Sequence, residues 1–231
     1  MSYLNIKKLQ ILDKKKKLVD INLEVKDSTA LIGQSGSGKS LTLKSILNML
    51  PSNLKSDYEV DSDFELSREN VGFVPQNPFT SLSPMTKIEK QFFCSSSKKL
   101  ELLKLVGLES WVLNRFPTQL SGGQLQRVVI AISLSTNAKL LLLDEPTTAL
   151  DNKSKKTILE LLEHLQEKLD ILLLFVTHDI HSIKEICKKI VIIKDGLIVE
   201  KGDTKHILEN PSSSYTKQLL ESTFENKDFR K

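Results

Sequence analysis

The residues best suited to chemistry form a glycine-rich loop, Gly33-Gln34-Ser35-Gly36-Ser37-Gly38-Lys39-Ser40. The loop follows an apolar segment, 29–32, and precedes a run with helical character, 41–50. Glycines let backbone N–H groups turn inward, and the following helix adds its positive N-terminal end, so the pattern predicts a phosphate-binding loop. Lys39 is then expected to reach the β- and γ-phosphates of a nucleotide, and the Ser40 hydroxyl to bind Mg²⁺.

The apolar pattern predicts the elements that hold this loop. Apolar and polar residues alternate over 4–11 and 18–25, which predicts two antiparallel strands joined by a lysine-rich turn at 14–17. Continuous apolar segments, which predict buried strands, lie at 71–74, 140–143, 171–176 and 190–193, with a shorter one at 197–199. Helical spacing is found at 41–50, 125–134, 158–169 and 180–187. It also extends over 88–113, where 95–97 interrupts it, and the tail from 204 predicts short helices. The stretch 51–70 shows no sustained periodicity.

Residues able to do chemistry follow several of these strands, namely Gly33, Gln76, Asp144 and His178. The carboxyl ends of parallel strands share one edge of an α/β sheet, and such sheets bind ligands at that edge. We therefore expect these residues to line the ligand-binding edge of the sheet. Ser121 precedes the predicted helix at 125–134 and is well placed to cap it.

The composition is that of an ordinary globular protein of 231 residues, with 39% hydrophobic residues and a net charge of +4. Its apolar runs fall far short of the roughly 20 residues that span a bilayer, and no signal peptide opens the chain, so a cytosolic protein is expected unless a partner holds it elsewhere. Cys94 and Cys187 lack metal-site spacing, which favours two reduced thiols over a disulfide or zinc site. The lysines at 14–17 favour a solvated turn over nucleic-acid or lipid binding.

Motifs across nearly the whole chain resemble those of the ATP-binding cassette (ABC) ATPases, in the same order. They are the 33–40 loop, Gln76, Leu120-Ser121-Gly122-Gly123-Gln124, the 140–145 segment ending in Asp144-Glu145, Asp151 and His178. The resemblance implies an α/β fold of the ABC-type P-loop NTPases, with a RecA-like core, an antiparallel β lobe and an inserted helical lobe. It implies a single ABC ATPase domain over 1–231, with a core of 1–76 and 136–231 and a helical lobe of 77–135. Such domains act as head-to-tail dimers that sandwich two ATP molecules.

The resemblance also implies ATP and Mg²⁺ as ligands and gives residues their roles. The phosphates are expected against 33–40 and Leu41, and the metal against Ser40, Gln76 and Asp144. Glu145 is expected to polarise the attacking water as general base, and His178 to contact the γ-phosphate. Gln76 is expected to report ATP occupancy to a partner.

The segment from Ser121 to Gln124 resembles the family's signature motif, which contacts the nucleotide bound by the opposite subunit. Its hydroxyl, bare N–H groups and helix N-terminus form a second anion site. Asp151 is expected to act across the dimer, to cap the helix beginning near Asn152, or both. The chain departs from the family where an aromatic residue usually stacks on adenine, since 9–13 is Leu-Gln-Ile-Leu-Asp. Either base selectivity is loose or an aliphatic side chain such as Leu12 substitutes.

A finer resemblance is to the oligopeptide, dipeptide and nickel importer branch. It rests on Gln76-Asn77-Pro78-Phe79-Thr80-Ser81-Leu82-Ser83-Pro84, Arg115-Phe116-Pro117-Thr118-Gln119, Asn210-Pro211 and Tyr215-Thr216-Lys217. It implies two membrane permeases, a second ABC ATPase subunit and an indirect periplasmic or lipoprotein substrate-binding protein. For the pair of ATPase subunits, the branch resemblance favours a heterodimer over a homodimer. It places the chain peripherally on the cytoplasmic face of the bacterial inner membrane. Ser213-Ser214 replaces the branch's usual His-Pro pair, and no cysteine-rich extension follows, so no iron–sulfur cluster is expected.

The alternative function is a soluble ABC ATPase acting in translation or DNA maintenance. The translation type usually carries two cassettes and the DNA type a long coiled-coil insertion, whereas this sequence shows one cassette and no such insertion, and no nucleic-acid partner is expected. A non-hydrolysing regulatory cassette is disfavoured because Lys39, Asp144, Glu145 and His178 are all present.

Overall fold

The computed structural model describes residues 2–225. They form two compact units: unit 1 comprises the chain up to Glu65 and from Leu172 onward, and unit 2 comprises Leu66–Ile171. The strands are β1 (Leu4–Asp13), β2 (Lys16–Val25), β3 (Ser28–Ile32), β4 (Leu54–Ser62), β5 (Val71–Val74), β6 (Leu140–Asp144), β7 (Leu172–Thr177), β8 (Lys189–Lys194) and β9 (Leu197–Asp203). The α-helices are α1 (Lys39–Ile46), α2 (Pro78–Ser81), α3 (Ser96–Leu105), α4 (Gly122–Ser133), α5 (Asn152–Leu169), α6 (Ile180–Ile183), α7 (Thr204–Glu209) and α8 (Ser214–Glu225). Short 3₁₀ helices occupy Ile88–Gln91, Ser110–Asn114 and Pro117–Gln119.

Unit 1 is built on a mixed sheet with strand order β4-β1-β2-β9-β8-β3-β7. The predicted antiparallel pair at the start of the chain is confirmed as β1 and β2, and their apolar residues are buried except Leu12 and Leu18, which are half-buried. Their turn is shorter than predicted, because Lys16 and Lys17 already belong to β2. Strand β3 is parallel to both β7 and β8, and all its residues are buried. The phosphate loop thus leaves a strand that is covered on every side.

One strand of unit 1, β4, was not predicted from the sequence. Among the strands of residues 2–225, it pairs with β1 alone, in antiparallel register, and lies at the edge of the sheet. Most of its side chains are exposed, so it lacks the apolar alternation that identifies a half-buried strand. Acidic residues on β4 face lysines of β1, as in the Lys8–Asp57 pair at 2.6 Å.

Unit 2 contains the parallel pair β5 and β6, with Val71 opposite Leu140 and Val74 opposite Leu143. Both strands and helix α4 were predicted at nearly these positions. The helical lobe differs from the prediction, because 88–113 holds one α-helix flanked by 3₁₀ turns. The polar interruption has a structural cause, since the Ser95 side chain accepts the Lys98 N–H and caps α3.

Two helices of unit 1 are shorter than the apolar pattern predicted. Helix α1 ends at Ile46, and Asn48 just beyond it takes a left-handed conformation with φ of 53°, which is common where helices stop. Helix α6 covers only Ile180–Ile183, and the chain turns before Cys187.

Both cysteines are unpaired, as expected, and burial raises the pKa of Cys187 to about 12. Across residues 2–225, helices long and apolar enough to span a bilayer are lacking.

Candidate functional site

The glycine-rich loop of unit 1 bends in a way that its glycines permit. Gly36 and Gly38 have φ of 80° and 108°, a region that residues with a Cβ adopt only at a cost. Gly38 is the N-cap of α1, and a Cβ added there would lie 2.8 Å from Val19 Cγ2. Within the described chain, α1 receives no side-chain cap at this end, so its first N–H groups suit an anion.

Lys39 is held inside this loop. Only 7% of the residue is exposed, and its Nζ donates to the Gly33 carbonyl at 2.6 Å and to the Gln34 carbonyl at 2.9 Å. The Ser37 hydroxyl is buried and has no hydrogen-bond partner among residues 2–225, whereas Ser40 is exposed at the start of α1. A cationic, glycine-lined turn with an orphaned hydroxyl fits the polyphosphate that the sequence predicts.

His178 lies at the same sheet edge as this loop. Ile32 on β3 pairs in parallel with Thr177 on β7, so Gly33 and His178 are the next residues on neighbouring strands. The Thr177 Oγ1 accepts the Asp179 N–H at 2.9 Å and shapes the turn in which His178 stands. The expectation of a shared edge is confirmed within unit 1, and the γ-phosphate role of His178 stays a prediction.

Unit 2 brings Gln76 and Glu145 together beyond the ends of β5 and β6. Gln76 Nε2 donates to Glu145 Oε2 at 2.9 Å, and Thr148 Oγ1 donates to the same oxygen at 3.2 Å. Asp144 is the last residue of β6, directly before Glu145. Glu145 has φ of 47°, a left-handed conformation that costs a residue other than glycine about 1–3 kcal/mol. Strain of this kind clusters at functional sites, where surrounding contacts hold it in place.

The signature-like segment of unit 2 forms a complete capping box. Gln124 N–H donates to Ser121 Oγ at 3.3 Å, and Ser121 N–H donates to Gln124 Oε1 at 3.0 Å. This confirms Ser121 as the N-cap of α4. At Gly123 an added Cβ would lie 2.8 Å from Ser154 Oγ, so α4 and α5 approach closely here. A Cβ added at Gly122 would meet only ordinary contact distances, the nearest atom being Leu150 Cδ2 at 3.6 Å.

Asp151 caps α5, which confirms one of its two expected roles. Its Oδ1 accepts the Lys153 and Ser154 N–H groups, both at 3.0 Å, and its Oδ2 accepts the Ser154 hydroxyl at 2.7 Å. The Ser154 hydroxyl and these N–H groups lower the pKa of Asp151, which keeps it charged. Asp151 and Ser121 both line a surface cavity of about 350 Å³. The cross-dimer role of Asp151 stays a prediction.

Two residues near these motifs escaped the sequence analysis. Thr148 hydrogen-bonds Glu145, and Arg127 Nη1 donates to the Gly107 carbonyl at 2.7 Å just beyond α3. Burial lowers the pKa of Arg127. Neither belongs to a spacing pattern that predicts chemistry, but Arg127 follows the signature segment closely on α4, which is the signal that could have drawn attention to it.

Residues 17–148 match the family model described as ABC transporter. The chain belongs to the ABC transporter family. The oligopeptide transport ATP-binding protein OppD of Bacillus subtilis (strain 168) is 35% identical over 232 residues, which cover 88% of this chain and 65% of that protein. The methionine import ATP-binding protein MetN of Helicobacter pylori (strain ATCC 700392 / 26695) is 39% identical over 224 residues, 88% of this chain and 68% of that protein. The chain thus spans about two thirds of the length of these relatives.

Solved structures of ABC proteins share the fold. The structure of cbiO1 from Clostridium perfringens, part of the ABC transporter complex cbiONQ, superposes with a TM-score of 0.78 at 26% identity, covering 91% of this chain and 92% of that one. A dimeric ATP-binding cassette in a post-hydrolysis state, bound to ADP and Pi, gives a TM-score of 0.70 at 28% identity, covering 87% and 98%. The predicted ABC-type α/β fold is confirmed. Membership of the family implies ATP binding and an ATPase activity coupled to transport.

Proposed function

We propose that this protein is the ATP-hydrolysing subunit of an ABC importer that couples ATP binding and hydrolysis to the uptake of a peptide or a nickel complex. The observation that carries the ATPase part is the phosphate loop, with left-handed Gly36 and Gly38 and with Lys39 held among its carbonyls. The loop's N–H groups, the start of α1 and the Lys39 ammonium together suit the charge of the β- and γ-phosphates.

Glu145 is the proposed general base for the attacking water. Gln76 and Thr148 both donate to its Oε2, and these two hydrogen bonds hold the carboxylate in a defined position just beyond the end of β6. The family pattern assigns Mg²⁺ to Ser40, Gln76 and Asp144, whose hydroxyl, amide and carboxylate oxygens are hard ligands suited to that ion. When bound, Mg²⁺ neutralises phosphate charge.

A second ABC subunit is the proposed partner for the signature segment. Ser121 is exposed at the N-terminus of α4, beside a cavity that Asp151 also lines. This surface offers a hydroxyl and helix N–H groups to the γ-phosphate held by the other subunit. The related cassette solved as a dimer with ADP and Pi supports this arrangement, in either a heterodimer or a homodimer.

Membrane permeases are the proposed partners for exposed apolar side chains of unit 2. Large side chains that follow Gln76 in the chain are strongly exposed: Phe79 at 49%, Met85 at 86% and Phe93 at 81%. Burial of apolar side chains of this size against a partner is energetically favourable. Two permeases, and through them a periplasmic or lipoprotein binding protein, would place the chain on the cytoplasmic face of the inner membrane.

The substrate proposal is supported by the importer-branch motifs and by the relative OppD, whose name assigns oligopeptide transport. Methionine is the second candidate substrate, because MetN is 39% identical and its name assigns methionine import. Cellular uptake of a labelled peptide, of nickel and of methionine would be measured in a strain carrying the native protein and in one carrying Glu145→Gln. Loss of uptake of one solute in the variant identifies the substrate.

Purification of the tagged chain from gently solubilised membranes tests the transport function itself. Recovery of two permeases and a second cassette subunit is expected. Recovery of ribosomes or DNA without any membrane protein would refute the importer and support the non-transport alternative.

A further inference from the structure

Helix α8 places a tyrosine against the phosphate loop, from the far end of the chain. The Tyr215 hydroxyl accepts the backbone N–H of Gln34 at 3.1 Å. Only 7% of Tyr215 is exposed, so the tyrosine is buried, and its contact with the exposed Gln34 is part-buried. Tyr215 therefore contacts the loop from an element that the motif analysis assigns no role in nucleotide binding.

The Gln34 N–H that donates to Tyr215 belongs to the same peptide group as a carbonyl that binds Lys39. The same peptide contributes the Gly33 carbonyl, which accepts Lys39 Nζ at 2.6 Å. One end of the peptide thus contacts a phenol and the other an ammonium, and hydrogen bonds in such a chain polarise and strengthen one another. There is little room beside it, since a Cβ added at Gly33 would lie 2.2 Å from the Ile193 carbonyl oxygen.

The phenol ring is itself fixed from neighbouring strands. Lys194 Nζ lies 4.9 Å from the ring centroid, within the range of a cation–π contact. Glu200 on β9 accepts the Ser212 N–H and hydroxyl, each at 2.8 Å, and the Ser213 N–H at 3.1 Å. The Ser213 hydroxyl then accepts the Tyr215 N–H at 3.2 Å. These contacts attach the start of α8 to the sheet.

The Glu200 carboxylate remains charged at neutral pH. Burial alone would raise its pKa, but the nearby Thr216 hydroxyl and the hydrogen bonds from Ser212 and Ser213 outweigh burial and lower the pKa to about 2. The attachment of α8 is therefore insensitive to pH through the neutral range.

We infer that Tyr215 is a positioning residue for the phosphate loop, because its hydroxyl fixes the peptide between Gly33 and Gln34 and thereby the carbonyl that holds Lys39. The inference rests on the proposed role of this loop in phosphate binding. Without the hydroxyl, the Gln34 N–H loses this contact and the peptide is held less firmly, so the loop samples other orientations more often. The nucleotide must then order the loop as it binds, and the cost of ordering lowers the affinity.

Tyr215→Phe tests this by removing one oxygen atom. The dissociation constant of a fluorescent ATP analogue (mant-ATP) is expected to rise about 3- to 10-fold, the effect of one ordinary hydrogen bond. The KM for ATP should rise by a similar factor while kcat changes less, since the hydroxyl is not expected to contact reacting atoms. Exchange of the Gln34 amide hydrogen, followed by NMR, should become faster in the variant.

Leu220→Ala is the matched control on the same helix. Leu220 is buried, so its truncation should lower the melting temperature while leaving mant-ATP affinity unchanged. Wild-type affinity in Tyr215→Phe, or an equal loss of affinity in Leu220→Ala, would overturn the inference. Lys39→Ala distinguishes a failure of the phosphate-loop assignment from a failure of the Tyr215 role. Normal mant-ATP binding in that variant refutes the phosphate loop itself, whereas lost binding there with normal binding in Tyr215→Phe refutes only the role of Tyr215.

Discussion

The left-handed backbone at Glu145 predicts an inverted order of stability between two small substitutions. At an ordinary helical position, alanine is about 1 kcal/mol more stable than glycine. At Glu145, with φ of 47°, alanine carries the left-handed penalty of about 1–2 kcal/mol and glycine does not. After subtracting the extra chain entropy that glycine loses on folding, about 0.5–1 kcal/mol, glycine should be the more stable by about 1 kcal/mol.

Both Glu145 variants lose the same hydrogen bonds from Gln76 and Thr148. The difference in stability between the two variants therefore reports the free-energy cost of the left-handed backbone. For a chain of this size, 1 kcal/mol corresponds to about 2–4 °C, so Glu145→Gly should melt about 2–4 °C above Glu145→Ala. Glu163, exposed within α5, supplies the control, because alanine should there be more stable than glycine. If alanine were the more stable at both positions, Glu145 would not be strained. Both Glu145 variants should lack ATPase activity.

Three further predictions concern turnover. Glu145→Gln should bind ATP normally, hydrolyse it roughly 10²- to 10⁴-fold more slowly and elute as a dimer in ATP on size exclusion, and unchanged turnover would remove Glu145 from the role of base. Ser121→Arg should abolish most hydrolysis yet leave mant-ATP binding to the monomer intact, and lost monomer binding would contradict a role in trans. Because residues 9–13 lack the aromatic residue that is usual in this region, the ratio of kcat/KM for ATP and GTP should lie within about tenfold, the effect of about 1.4 kcal/mol. A strong ATP preference would show that adenine is recognised elsewhere.

The sequence predicted best those parts of the fold that combine burial with regular spacing. Strands β3, β6 and β7 are covered on both faces and therefore appear as continuous apolar runs. The start of α4 was predictable for a local reason, since a serine and a glutamine three residues apart form a capping box whatever surrounds them.

The parts that the sequence did not predict depend on tertiary contacts. Strand β4 is mostly exposed and lacks a strand-like apolar pattern, so its extended structure depends on its pairing with β1. The hydrogen bond from Gln76 to Glu145 joins residues far apart in the chain, and so does the contact between Tyr215 and Gln34. Strand-end placement predicted a shared sheet edge for Gly33 and His178, but not the left-handed turn at Glu145, because glutamate carries no sequence signal for that conformation.

The capping box at Ser121 has a consequence for what evolution can change there. In the box the hydroxyl oxygen is an acceptor, which leaves its hydrogen available as a donor to a phosphate. In the proposed dimer, one hydroxyl group can thus cap its own helix and donate a hydrogen bond to the nucleotide of the other subunit at the same time. Threonine preserves both functions, aspartate would preserve the cap but repel the phosphate, and alanine would remove both, with a cost to the helix of about 1 kcal/mol. In the proposed dimer, the stability of α4 and the contact with the other subunit's nucleotide therefore depend on the same hydroxyl.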